Sequence, residues 1–187
     1  MELLVFLLIL LGLVAAVVAL GVVLYNRLVT LRNRVEQSWA DIDVQLRRRY
    51  DLIPNLVETV KGYAAHERET FQEVTDARAR AMAAGGVKEQ AEAEGMLTQA
   101  LRSLFAVAED YPQLRASDNF RELQEELTAT EDRISYARQF YNTAVRSYDT
   151  ARQTVPTNIV ANLFAFADHD YFETDDPESR DPVQVSF

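Results

Sequence analysis

The chain contains no cysteine, which excludes disulfides, thiolate metal centres and cysteine nucleophiles. The absence also fits a reducing compartment. Histidine is nearly absent, with two in the chain. His66-Glu67-Arg68-Glu69 begins like a zinc-protease motif, but Thr70 stands where the second histidine must be. The other, His169, lies far along the chain, and a catalytic zinc ordinarily needs three protein ligands. No Gly-x-Ser-x-Gly elbow exists to carry a serine triad. Gly85-Gly86 has no following lysine and no preceding strand, so it reads as a helix end and not a phosphate loop. Positive charge is also short: 19 Lys and Arg oppose 29 Asp and Glu, a net charge of −10. Nucleic-acid binding needs a basic footprint, so that partner is excluded. These absences together predict a non-enzymatic protein with no cofactor and no metal.

Long apolar sequence is what the chain does have. From Leu3 to Tyr25 no side chain is charged or strongly polar. At about 1.5 Å per residue the run reaches roughly 35 Å, enough to cross a hydrocarbon core of about 30 Å. Glu2 is the one early charge, and no Ala-x-Ala site closes the run, so it reads as an anchor and not as a cleavable signal. Tyr25 stands where an amphipathic ring suits the headgroup layer, with Arg27, Arg32 and Arg34 just beyond it. This one-sided placement predicts a single-pass protein of the cell membrane, N-terminus outside and the following domain cytoplasmic.

Beyond the anchor the period is helical. Leu28, Leu31, Val35, Trp39, Ile42, Leu46, Tyr50, Ile53, Val57 and Val60 recur in steps of three or four. The face continues through Ala64, Phe71, Val74 and Ala81 and stops at Gly85-Gly86. One helix is therefore expected to run from the bilayer into the domain. Pro54 should kink it or restart it, because proline has no N–H for the carbonyl of Tyr50. A second helix reads from Val87 to Glu109, with Met96, Ala100, Leu101, Leu104, Phe105, Val107 and Ala108 inward, and Tyr111-Pro112 ends it. A third carries Phe120, Leu123, Leu127, Thr130, Ile134, Ala137, Tyr141, Ala144, Tyr148 and Ala151, a heptad suited to coiled-coil-like packing on another long helix. Asn119 and Glu122 resemble its capping box. After Pro156 a short helix with Ile159, Val160, Leu163, Phe164 and Phe166 can pack on the bundle or lie on the membrane. The expected fold is all-α: an N-terminal transmembrane helix continuing into an up-and-down antiparallel bundle of long helices. Its parts are an anchor over 1–26, a cytosolic bundle over 27–167 and an acidic tail over 168–187. The tail should be mobile unless a partner holds it.

Several stretches resemble the LemA family of bacterial membrane proteins. They are YNRLVTLRNRVEQSWADIDVQLRRRYDLIPNLVETVKGYAAHE from Tyr25 to Glu67, YPQLRASDNFRELQEELTATEDRISYARQFYN from Tyr111 to Asn142, and VPTNIVANLFAF with the later YF, from Val155 to Phe172. RRRYDLIPNLVE is long and specific. Small departures are Tyr148-Asp149 where Tyr-Asn is commoner and Val155-Pro156 where Phe-Pro is. The resemblance implies an N-terminal anchor and a cytosolic bundle of long helices. It supplies no reaction, although some members are associated with bacterial organelle membranes.

The candidate interaction residues are Arg47, Arg48, Arg49, Tyr50, Pro54 and Asn55. Three consecutive arginines fan over about 200° of a helix, so they cannot all serve one face. Three readings are open: a solvated face with carboxylate partners in the same chain, contact with acidic surfaces of neighbouring subunits, or a phosphorylated ligand. Trp39, Tyr63, Tyr136, Phe140 and Tyr141 read as packing residues and not a ligand cage. Tyr136 and Phe140 lie four apart beside the main stripe of the third helix, apolar width consistent with contact between subunits. The expected function is a membrane-anchored scaffold acting by self-association, a homo-oligomer whose other partner is the lipid bilayer. The alternative is a membrane-tethered signalling adaptor that docks a soluble protein through the acidic tail.

Overall fold

A computed structural model describes residues 1–173 of the chain. The order is α1 (Glu2–Lys61), α2 (Arg68–Ala83), α3 (Val87–Glu109), α4 (Pro112–Arg115), α5 (Asp118–Gln153) and α6 (Thr157–Leu163), with no strand among the described residues. The all-α class follows from the 3.6-residue periodicity of each segment. Of the expected acidic tail, Thr174–Phe187 lies outside the described residues.

The chain forms two compact units, one of Met1–Ala40 with Phe140–His169 and one of Asp41–Gln139 with the segment from Asp170. In the first, α1 carries the apolar span, a helix long and apolar enough to cross a membrane. Its residues are exposed from Leu3 to Val23 apart from the half-buried Gly21. Burial begins at Leu28 and recurs at Val35 and Ser38, where the C-terminal part of α5 contributes Tyr141, Ala144, Val145, Tyr148 and Ala151 to the core. The Trp39 and Tyr141 rings lie 5.5 Å apart. The short helix packs on this unit. Val160 and Ala161 are buried, and the Tyr25 ring meets Phe164 at 4.8 Å and Phe166 at 5.6 Å, both edge-on. A reversal after α6 makes this contact. The Phe166 amide donates to Ala161 O at 2.9 Å and the Ala165 amide to Asn162 O at 3.3 Å, the paired bonds of a Schellman cap. Ala165 takes the left-handed conformation the cap requires, with φ 52°. The segment expected to open the tail is tied down: the Tyr148 hydroxyl donates to Ala167 O at 2.7 Å, and Arg152 faces Asp168 at 3.8 Å.

In the second unit, α2 packs on α3 and α3 on α4, with the C-terminal part of α1 and the N-terminal part of α5 completing the core. Here the first helix is shorter than expected. It ends at Lys61, and the chain reverses through Gly62–Glu67 before α2. The Ala64 amide returns to Val60 O at 2.9 Å, closing the helix end. Period alone hid this break, because Ala64 and Phe71 are a heptad apart and both buried. Of the kink or restart expected at Pro54, the restart does not occur, since α1 runs through it. The carbonyl that proline leaves without a partner is that of Tyr50, and Arg78 of α2 donates its Nε to it at 2.8 Å. A side chain from another helix replaces the missing amide. In α3, Met96 is exposed and Phe105 and Val107 half-buried, whereas Leu97, Ala100, Leu101, Leu104 and Ala108 are buried. α5 starts at Asp118, one residue before the expected cap. Phe172 is buried with Arg138 over its ring at 5.1 Å, and Lys88 pairs with Asp170 at 2.8 Å. Within the described part of the acidic segment, Asp168, Asp170 and Phe172 are thus each in contact with a cationic side chain of the bundle.

Candidate functional site

The arginine cluster divides three ways. Arg47 points to water and pairs with Asp43 one turn back at 2.9 Å. Arg48 reaches Glu126 of α5 from a half-exposed position. Arg49 is 4% exposed and lies at the centre of a polar network inside the second unit. Its Nη1 sits 3.0 Å from Glu94 Oε2 and 2.8 Å from Glu131 Oε2, and its Nη2 donates to Thr98 Oγ1 at 2.9 Å. Tyr50, also buried, donates its hydroxyl to the other oxygen of Glu94. Gln90 Nε2 lies 2.8 Å from Tyr50 Oη, 3.1 Å from Ala81 O and 3.2 Å from Glu94 Oε1.

Helix geometry explains the convergence. Consecutive residues diverge by about 100°, so Arg47 faces out where Arg49 and Tyr50 face in. Gln90 and Glu94 lie four apart, and with Leu97, Leu101, Leu104 and Ala108 they form one stripe. That register was the available signal for two residues that sequence reasoning missed: polar side chains in step with an apolar face are buried with it. Burial raises the Glu94 carboxyl above its ordinary range, while Arg49 and the Tyr50 hydrogen bond pull it back. Burial and the adjoining Glu94 likewise push the Tyr50 phenol up.

Arg49 Nη1 and Nη2, the Tyr50 hydroxyl and Gln90 Nε2 are all engaged with acceptors of the same chain. Of the three readings open for the cluster, carboxylate partners in the same chain are the ones seen for Arg48 and Arg49, and Arg49 and Tyr50 are buried. Losing one partner of a buried pair leaves an uncompensated charge. Pro54 and Asn55 are exposed on α1, with the Asn55 carbonyl accepting from Thr59 Oγ1 at 2.8 Å. His66 is exposed, and His169 sets its ring edge-on to Tyr148 at 5.2 Å.

The membrane-interface candidates separate as well. Tyr25 is partly covered by Phe164 and Phe166, and Arg32 lies over Phe166 at 5.7 Å while pairing with Glu36 at 3.6 Å. Arg27 and Arg34 are exposed. On α5, Tyr136 and Phe140 are 69% and 65% exposed.

The amino-acid sequence is similar to those of known proteins. Residues 38–187 match the model of the LemA family. Magnetosome protein MamQ 1 and Magnetosome protein MamQ 2 of Paramagnetospirillum magneticum are each 27% identical over 196 residues, covering 91% of this chain and 72% of theirs. Protein LemA of Metamycoplasma hominis is 25% identical over 137 residues, covering 73% of this chain and 63% of its own.

Proposed function

Because this chain belongs to the LemA family, we propose that it is a membrane-anchored, non-enzymatic helical scaffold working by self-association and protein contacts at the cytoplasmic membrane. The observation that carries the reading is the continuity of α1, which joins an exposed apolar span to the packed helical units without a break. A helix held in a bilayer brings its attached domains into one plane, where effective concentration rises and weak lateral contacts suffice for assembly. With Arg49 and Tyr50 engaged internally, the surface offered to a second copy is the exposed pair Tyr136 and Phe140 on α5. Aromatic side chains in water are the usual anchors of such contacts. Arg27 and Arg34, exposed just past the span, support a topology with the N-terminus outside and the domain cytoplasmic. The relatives named as magnetosome proteins are consistent with a role at a membrane.

The test is the particle size of full-length protein extracted in mild detergent, measured by light scattering on a sizing column. A defined oligomer is expected, and Tyr136→Ser with Phe140→Ser should shift it toward the monomer with helical content retained. A monomeric wild type would overturn the scaffold and favour the signalling adaptor. Protease added to intact cells should spare the domain, and fragments containing Tyr63 released from outside would reverse the topology.

A further inference from the structure

α6 carries no charged residue, and its two sides differ. Thr157, Val160 and Ala161 are buried in the first unit. Val155, Ile159, Leu163 and Phe164 are 56–76% exposed. Ile159 and Leu163 lie four apart on one side of α6 and Phe164 adjoins Leu163, whereas Val155 precedes the helix in the turn before Pro156. The Schellman reversal then sets Phe164 and Phe166 on Tyr25. Tyr25 closes the apolar run of α1, and Val22 and Val23 before it are exposed.

We propose that α6 is a second membrane contact: Ile159 and Leu163, with Phe164 at the end of the helix, rest in the headgroup–acyl boundary of the bilayer that α1 crosses. The ring contact at 4.8 Å holds Phe164 at the level of Tyr25. A bilayer that covers Leu3 to Val23 ends at that level, so this apolar side meets lipid without any other partner. Leu163 is the next residue, and Ile159 lies about 6 Å from it along the helix. Apolar side chains held at the headgroup–acyl boundary contribute binding in proportion to the apolar area they bury. The surrounding charges agree. Arg32 is stacked on Phe166, and Arg27 and Arg34 are exposed, placing cations at phosphate depth. The nearby acidic residue Asp168 faces Arg152. The short helix thus packs on its own unit through one side and on lipid through the other.

This inference rests on the membrane-anchor reading, and the absence of cysteine allows both to be tested separately. Full-length chains carrying Val14→Cys, Gln37→Cys, Ile159→Cys or Leu163→Cys would be labelled with an environment-sensitive fluorophore. They would be reconstituted in phosphatidylcholine–phosphatidylglycerol nanodiscs, which leave both faces open to water. The quenchers are lipids with nitroxides at shallow or deep chain positions, and aqueous iodide. Val14, within the span, should lose emission to the deep nitroxide. Gln37, exposed beyond it, should respond to iodide alone. Ile159 and Leu163 should lose emission to the shallow nitroxide and be shifted to the blue relative to Gln37, with iodide quenching reduced several-fold. Labels at both positions that respond like Gln37 would overturn the proposal. So would labels resisting both quenchers, which would show a protein surface covering α6. Failure of the Val14 label to respond to lipid would instead overturn the anchor.

Discussion

Replacing Arg49 with Met removes the central cation of the buried network while keeping most of its apolar stem. Glu94, 4% exposed, then keeps its bonds from Tyr50 and Gln90 but has no counter-charge. Breaking a buried pair by removing one partner costs about 3–5 kcal/mol. Glu131 is 43% exposed at its side chain and can turn to water, so its share of the loss is small. The cost depends on pH through Glu94. Its carboxyl is already raised by burial, and without Arg49 the opposing attraction disappears, so it rises further. For an acid whose folded pKa lies above its unfolded value, the folded state holds the proton longer. That contribution to stability is complete below the unfolded value near 4.5 and is lost as pH rises through the folded value. The variant should therefore unfold at lower urea than the parent at pH 7, and the deficit should shrink toward pH 5. Glu94→Gln alone should cost about 1–3 kcal/mol. The double variant should lose less than the sum, since a neutral amide needs no counter-charge. Urea unfolding of full-length protein in detergent, followed by circular dichroism, measures all four corners of the cycle. An Arg49→Met deficit equal at both pH values, together with an additive double variant, would refute a charge-based account of this network.

Two further substitutions test local devices. Arg78→Leu leaves the Tyr50 carbonyl unbonded and should cost about 1–3 kcal/mol, whereas Pro54→Ala in that background should recover part of the loss by restoring a backbone donor; the same urea titration reads both. Ala165→Gly relieves a left-handed alanine in the Schellman cap and should raise the unfolding midpoint, with a gain of about 1 kcal/mol; an unchanged or lowered midpoint would show that the cap stores no strain.

The apolar span, the all-α class and the inward faces of the long helices were legible in the sequence, because hydrophobic length and the 3.6-residue period are local properties. Leu28, Val35, Ile42, Leu46, Ile53 and Val60 were expected in the core by spacing alone and are buried there. The reversal at Gly62–Glu67 was not legible, since an apolar stripe that keeps step across a turn looks like one helix. The fate of the arginines was hidden for a different reason. Spacing showed that three neighbours must face different ways, but which one turns inward depends on Glu94 and Glu131, roughly 45 and 82 positions away and brought near by other helices. Likewise, proline predicted an orphaned carbonyl at Tyr50, and only packing against α2 supplied Arg78 to satisfy it. α6 was ambiguous from its composition because both of its sides are apolar. Packing of Thr157, Val160 and Ala161 into the first unit decided which side is buried, since a helix of seven residues is positioned by what it packs against and not by its own propensity.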